Sequence, residues 1–426
     1  MPVGAVQSVA RLYGEWKDLT SKLNAQVHAR SSIGDRIREG SGDAKTQAIE
    51  EAKVLKASIS ELQKRVTEIE DELHALALTI PNDTHHDTPI GPEDAAITLS
   101  THGPEPCPPS PQRDHVNVAK SLNLLDLEAG STITGSSWYY LLNEGALLEL
   151  ALTQYAMSKA IARGFKPITT PDVVRADIAS RCGFQPRDSS DPPVHQMYHL
   201  QKAHPTQPEL VLSGTAEIPL AGMFANKIFR EEELPIKYVG LGRAFRSEAG
   251  ARGADTRGLY RVHQFTKVEL FAACAEGESD RMMQELFDLQ LDIFGGLGLP
   301  IRALDMPTEE LGASAFRKYD IEAWMPGRGR WGEISSTSNC TDYQSRRLHI
   351  RYRRRKSSES EAVPDGPLPF AHTLNGTAAA IPRLIVALLE NGVKLSDTGE
   401  VVGLSLPVAL KPFWISSGQG VDISWT

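Results

Sequence analysis

The tightest constraint on this chain lies in its first eighty residues. Ala52, Leu55, Ile59, Leu62, Val66, Ile69, Leu73, Leu76 and Ile80 recur at alternating intervals of three and four. That spacing is the apolar seam of one helix packed along another. Leu12, Trp16, Leu19, Leu23, Ile33 and Ile37 keep the same alternation upstream, with Gln26 and Arg30 as polar breaks. Between the runs lies EGSGD, where Gly40 and Gly42 can end a helix and reverse the chain. The pattern predicts an antiparallel coiled-coil hairpin over residues 1–80, each helix roughly 50 Å long at 1.5 Å per residue. Residues 1–80 hold 11 Lys+Arg against 12 Asp+Glu, whereas residues 11–38 hold six basic residues against three acids. A dimerisation element and an arm that touches a large anionic ligand both fit this charge pattern.

Residues 81–115 change character. PNDTHHDTPIGPEDAA and THGPEPCPPSPQRDH are rich in Pro and polar residues and read as linker, with His85 and His86 as loop residues. Residues 116–426 then mix helical stretches with β-rich runs such as IKYVGLGRAF, HQFTKVELFAACA and WGEISSTSN. The runs cluster without regular βαβ alternation. This predicts an α+β fold, an antiparallel sheet flanked by helices. With 41% hydrophobic and 23% charged residues the chain has a globular composition, and no apolar run reaches membrane-spanning length. A formal charge of −9 argues against indiscriminate nucleic-acid binding. Cys107, Cys182, Cys274 and Cys340 are scattered without a zinc-binding spacing.

One stretch carries chemistry that a plain core would not tolerate. FRSEAGARGADTRGLYRVHQFTKVELF, Phe245–Phe271, frames Arg246, Arg252, Arg257 and Arg261 between two strand-like ends. On a strand, Phe265, Lys267 and Glu269 share one face, with Gln264, Val268 and Leu270 on the other. An aromatic ring, a cation and a carboxylate on one face suit a polar pocket, although a charged hairpin in water would carry the same residues. GRGRWG at Gly327–Gly332 matches a dinucleotide fingerprint in form but is followed by EISSTSN, not by a helix. No GxxxxGK[ST] phosphate loop is present.

The stretch closely resembles motif 2 of class II aminoacyl-tRNA synthetases, in the form found in seryl-tRNA synthetases: FRSEAG, DTRGL, then RVHQFTKVE. Other blocks follow the family order. GFKPITTPDVV resembles motif 1 with Pro171, LSGTAEIPL the TxE loop, EISSTSNCTDYQSRR the family's EISSCSN block, and TLNGTAAAIPRLIVALLEN motif 3 with Arg383. The N-terminal hairpin resembles the family's tRNA-binding arm, so the likeness spans essentially the whole chain and looks most like fungal mitochondrial forms. It implies a serine–tRNA ligase: serine and ATP give seryl-adenylate, and serine passes to the 3′ end of tRNA(Ser). It further implies that Arg246 clamps the α-phosphate and serine carboxylate, and that Arg383 holds the γ-phosphate. Phe265 would stack on adenine, with Ser247, Glu248 and the Val262 backbone beside the base. Glu333 and Ser336 would ligate Mg²⁺ that arrives with ATP, next to Ile334 and Ser335. Thr215 and Glu217 would hold the α-ammonium, with Ala216 between them in the serine site, and Glu269 with Thr377 would pair the serine hydroxyl. No zinc is expected.

The resemblance also implies a homodimer. Its N-terminal boundary differs from the family, whose short segment before the arm is missing, and this suggests a truncated start or lost targeting information. MPVGAVQSVARLYGEW has no acid before Glu15, which together with the fungal likeness points to the mitochondrial matrix, the cytoplasm being the alternative. Thr337 stands where the family often has Cys, and SSESEAVPDGP (Ser357–Pro367) looks like an ordinary loop. A non-catalytic paralogue that binds RNA or protein is the competing reading. It is disfavoured because Arg246, Glu248, Glu269, Glu333, Ser336 and Arg383 are all present.

Overall fold

In a computed structural model of the chain, residues 4–184, 196–248, 256–355, 366–416 and 420–426 are described. Arg252 and most of the Ser357–Pro367 insert lie outside them. The chain divides into two units, Met1–Pro81 and Asn82–Thr426. The first is a hairpin of α1 (Ala5–Glu39) and α2 (Asp43–Leu78). Its buried side chains include Leu12 and Ile33 on α1 and Ile59 and Ile69 on α2, all seam positions. Exposed ion pairs Arg36–Glu51 (2.9 Å) and Arg65–Glu15 (3.6 Å) link the two helices in antiparallel register. Gly42 makes the reversal at φ 61°, a conformation that disfavours side chains.

The second unit is built on an eight-stranded sheet. In chain order the strands of this sheet and the helices that position the site are β1 (Ile97–His102), α3 (Asn143–Ala162), β2 (Lys166–Thr169), α4 (Glu217–Gly222), β3 (Ile236–Phe245), β4 (Gln264–Cys274), α5 (Ser279–Gly295), β5 (Ile301–Asp305), β6 (Arg317–Met325), β7 (Arg330–Asn339), β8 (His372–Ala380) and α6 (Ile381–Gly392). The strand order is β1-β5-β6-β7-β8-β4-β3-β2. Neighbours run antiparallel except β2 beside β3, where motif 1 enters the sheet edge in parallel. The expected α+β class and antiparallel sheet are what the structure has.

The linker expectation needs correction. Ile97–His102, within residues 81–115, pairs with β5 and forms the opposite sheet edge. Asn82 donates to the carbonyls of Ser314 and Cys340, and the His85 ring packs edge-on against Phe316 at 5.2 Å. The short β-rich run ITLSTH is hidden in sequence by the prolines and acids around it, so composition alone misplaces it.

One sheet face supports the core. Leu148 and Leu152 of α3, Met282, Leu286 and Leu289 of α5, and Leu384 and Leu388 of α6 pack with Val268, Leu270, Ile321 and Ile334 from the strands. The helices form because their apolar side chains recur at three and four, as in Met282, Leu286, Leu289 and Ile293. Because β4 turns Val268 and Leu270 into this core, period-two alternation turns Phe265, Lys267 and Glu269 to the opposite face.

Candidate active site

That opposite face forms the floor of a cleft open to solvent. Arg246, Glu248, Val262, Phe265, Glu333, Ile334, Ser335, Ser336, Thr377 and Arg383, all singled out from sequence, line it. They come from three places: the β3–β4 hairpin, β7, and the β8–α6 junction. Sheet register brings them together, since Glu269 lies opposite both Gly240 of β3 and Thr377 of β8.

Arg246 leaves the end of β3 with its backbone N–H donating to His263 O (2.8 Å), which closes the hairpin. Its Nε donates to Gly214 O at 3.2 Å, and its guanidinium lies over the Phe265 ring, 5.4 Å from the centroid. Burial lowers the pKa of this arginine, so an anion in the cleft would relieve an electrostatic cost. Glu248 sits at φ 46° and accepts from Arg261 Nη1 at 3.0 Å, across the base of the motif 2 loop. Ser247 is held beside it through its backbone N–H to Gln196 O. The returning limb of the loop is anchored to the body. Arg257 pairs with Asp114 (3.1 Å), and the Leu259 N–H donates to His115 Nε2 (3.2 Å). His115 in turn meets Glu390 at 2.9 Å.

Arg383 occupies the first turn of α6, where helix N–H groups already favour anions. Its Nη1 is 3.2 Å from Glu333 Oε2 and donates to Glu333 O at 3.0 Å. Burial disfavours charge on Glu333, yet Arg383, then Lys318 and Arg246, outweigh it and hold its pKa at about 2. An ionised carboxylate and the Ser336 hydroxyl in the same cleft are hard oxygen donors of the kind Mg²⁺ takes.

Beside the cleft lies a group of buried polar side chains, Thr215, Lys267, Glu269 and Thr377. Lys267 Nζ lies 2.6 Å from Glu269 Oε2 and donates to Thr215 Oγ1 at 3.2 Å. Burial raises the pKa of Glu269. Glu217, opening α4 after buried Ala216, accepts from Gln344 (2.6 Å) and Asn375 (2.9 Å). Burial, then nearby Glu269, pushes its pKa up to about 7. Thr377, on β8, lies opposite Glu269 in the sheet register.

Sequence reasoning gives no role to several residues the structure puts here. Alternation places Lys267 on the polar face but does not show it as the cation joining Thr215 to Glu269. Tyr260 lines the cleft with the guanidinium of Arg328 3.3 Å and that of Arg383 4.8 Å from its ring centre. Its carbonyl accepts from Arg383 Nε at 3.3 Å. Nothing in local spacing marks Gln344 and Asn375 as partners of Glu217. GRGRWG is the β6–β7 turn: a Cβ on Gly327 would meet the Asp114 Cα at 2.5 Å, so close packing explains that glycine. This accords with the rejection of a dinucleotide loop.

Comparison with known proteins agrees with this geometry. Residues 198–392 match the tRNA synthetase class II core domain (G, H, P, S and T), and residues 2–84 match the seryl-tRNA synthetase N-terminal domain. A mitochondrial serine–tRNA ligase from Schizosaccharomyces pombe is 43% identical over 96% of this chain and 83% of its own length. A serine–tRNA ligase from Treponema denticola is 39% identical over 93% of this chain and 89% of its own. Mitochondrial and bacterial relatives are thus about equally similar. The crystal structure of seryl-tRNA synthetase from Pyrococcus horikoshii complexed with ATP superposes with a TM-score of 0.76 at 32% identity, covering 97% of this chain and 92% of that one. The chain belongs to the seryl-tRNA synthetase family, the class II serine–tRNA ligases.

Proposed function

We propose that the ligase activity of this chain is carried by two stacked chambers of one cleft, the upper for ATP and the lower for serine. The observation that supports this most is the shared setting of Arg246, Lys267, Glu333 and Arg383 on one cleft, with Arg246 also close enough to feel the Glu269 carboxylate that pairs with Lys267. Adenine stacks on Phe265, with Glu248, Ser247 and the Val262 backbone at its edge. Arg246 binds the α-phosphate and the serine carboxylate, and Arg383 the γ-phosphate. Thr215 and Glu217 receive the α-ammonium, with Ala216 between them in the serine site. Glu269 and Thr377 pair the hydroxyl, which is how a site rejects alanine. A serine carboxylate oxygen attacks the α-phosphorus, the bond to the β-phosphate breaks, and pyrophosphate leaves. A terminal ribose hydroxyl of the tRNA then attacks the seryl carbonyl and AMP leaves. No side-chain nucleophile is required; positioning and charge neutralisation supply the rate. Glu333 and Ser336, flanking Ile334 and Ser335, would hold Mg²⁺, which when bound neutralises triphosphate charge.

In the same reading the α1–α2 hairpin binds tRNA(Ser), the unit from Asn82 onward is catalytic, and two chains pair through the motif 1 region. Leu150 and Ile161 of α3 and Val173 of motif 1, all exposed apolar side chains, support that pairing. The mitochondrial matrix is the proposed site of action, supported by the fungal relatives named as mitochondrial. Imaging a tagged chain would separate that from the cytoplasm. Serine-dependent exchange of pyrophosphate into ATP tests the activity itself. Exchange stimulated by serine and not by alanine, threonine or proline is expected; absence of serine stimulation in folded protein would refute the reading.

A further inference from the structure

β7 and β8 pair only over Thr337–Asn339 and Leu374–Gly376, and then part. Beyond the last pair, Thr337 with Gly376, one branch carries Glu333–Ser336 and the other Thr377–Ala380. β8 also bulges against β4 between Thr377 and Ala379. Parting strands leave backbone carbonyls without ladder partners, and buried carbonyls need replacements. The replacement is Gln290, buried on α5 in the otherwise apolar stripe Met283, Phe287, Gln290, Phe294. Its Nε2 donates to Ser336 O at 3.0 Å and to Thr377 O at 3.1 Å, one on each branch. Ser335 Oγ adds a bond to Thr377 O at 2.6 Å. Buried Thr337 donates its hydroxyl to Gln290 Oε1. An amide with both N–H groups on carbonyls needs a donor at its oxygen, and Thr337 supplies one. At the fork, a Cβ on Gly376 would sit 2.9 Å from Gln290 Nε2, so glycine gives the amide room.

We infer that Gln290, oriented by Thr337, is a positioning residue that sets the gap between the metal-binding and hydroxyl-reading branches of the cleft. It touches no substrate. It fixes the backbone of Ser336 and Thr377, so losing it displaces two contacts at once. Thr337, which stands where the family often has Cys, belongs to this device: its hydroxyl is the stronger donor. The inference rests on the residue roles proposed above.

The test compares the parent with Thr337→Val, Thr337→Ser and Gln290→Met in serine-dependent exchange, and by calorimetric binding of a seryl sulfamoyl-adenosine. Thr337→Val and Gln290→Met should raise the serine KM about tenfold and weaken analogue binding similarly, as expected for a buried hydrogen bond left half-made. Half-saturating Mg²⁺ should rise with it, kcat should change by less than about threefold, and Thr337→Ser should behave as the parent. If Gln290→Met fails to fold, the Thr337 pair decides. Unchanged serine KM and analogue affinity in folded Thr337→Val overturn the inference, as does a loss confined to kcat or one that Thr337→Ser does not restore. A parent that neither exchanges nor binds the analogue would refute the function itself, and this inference with it.

Discussion

In the helical arm the buried side chains include Leu12, Ile33, Ile59 and Ile69; around the cleft they include Lys267, Glu269, Thr377 and Gln290. The two units therefore use burial for opposite ends. In the arm it removes apolar surface from water along a seam one residue wide, and the charges stay outside. In the cleft it takes charges out of water while leaving them paired to one another, so that a substrate with matching charge completes the set. An arm residue can be replaced by anything apolar of similar size. A cleft residue cannot, because its value lies in where one polar atom points.

The largest effect should come from breaking the cleft where the two chambers meet. Arg246→Ala removes the guanidinium between the proposed phosphate and carboxylate positions. Exchange should fall by about a thousandfold. Thermal stability should stay close to the parent, because the hydrogen bond given up is to a backbone carbonyl at the cleft wall, Gly214 O. Near-normal exchange would remove Arg246 from the mechanism.

Deleting Ala5–Ile80 sharpens the contrast from the other side. The unit from Asn82 onward, proposed to be catalytic, has its own core on α3, α5 and α6, so exchange should survive. Aminoacylation of tRNA should drop by on the order of a hundredfold, since remote binding energy orients the acceptor end. Survival of aminoacylation would reduce the arm to a structural appendage.

These units also differ in how far sequence alone exposes them. The arm is written in a single repeating interval, and spacing by itself places Leu12, Ile59 and Ile69 on the seam. The cleft is legible by resemblance, motif by motif, and the odd face of Phe265, Lys267 and Glu269 is legible by alternation. What stays hidden depends on register between distant segments. Gln290 is one polar residue in an apolar helical stripe, a signal that could flag it. Its meaning needs the fork between Thr337 and Gly376, which no local pattern encodes. The edge strand Ile97–His102 escapes for a similar reason: six residues acquire a role only through β5.

An intermediate effect should appear with pH. Burial and Glu269 raise Glu217 to about 7. Below that value the carboxyl is neutral and cannot pair with the serine ammonium in the proposed arrangement. The serine KM should therefore rise as pH falls through 7, approaching about tenfold per pH unit. Glu217→Gln should have a raised KM with that limb flattened, measured between pH 6 and 8. An unchanged limb would assign the titration to another group.

The smallest effect on catalysis should come from the arm's own core. Ile59→Ala removes a buried side chain, as Leu286→Ala does under the sheet, yet the surroundings differ. Leu286 is enclosed by strands and helices, so its loss leaves a cavity and should cost about 3 kcal/mol or more. Ile59 faces a single partner helix, and its seam neighbours Leu55 and Leu62 are only half-buried. Water and side-chain movement can relieve the gap, which leaves mainly the transfer cost of the three lost carbons, about 2 kcal/mol. Chemical denaturation followed by helical circular dichroism should show the smaller loss for Ile59→Ala, with exchange unaltered. If Ile59→Ala instead lowers exchange as much as Leu286→Ala does, the arm's packing is coupled to the cleft, and the division of labour between the two units fails.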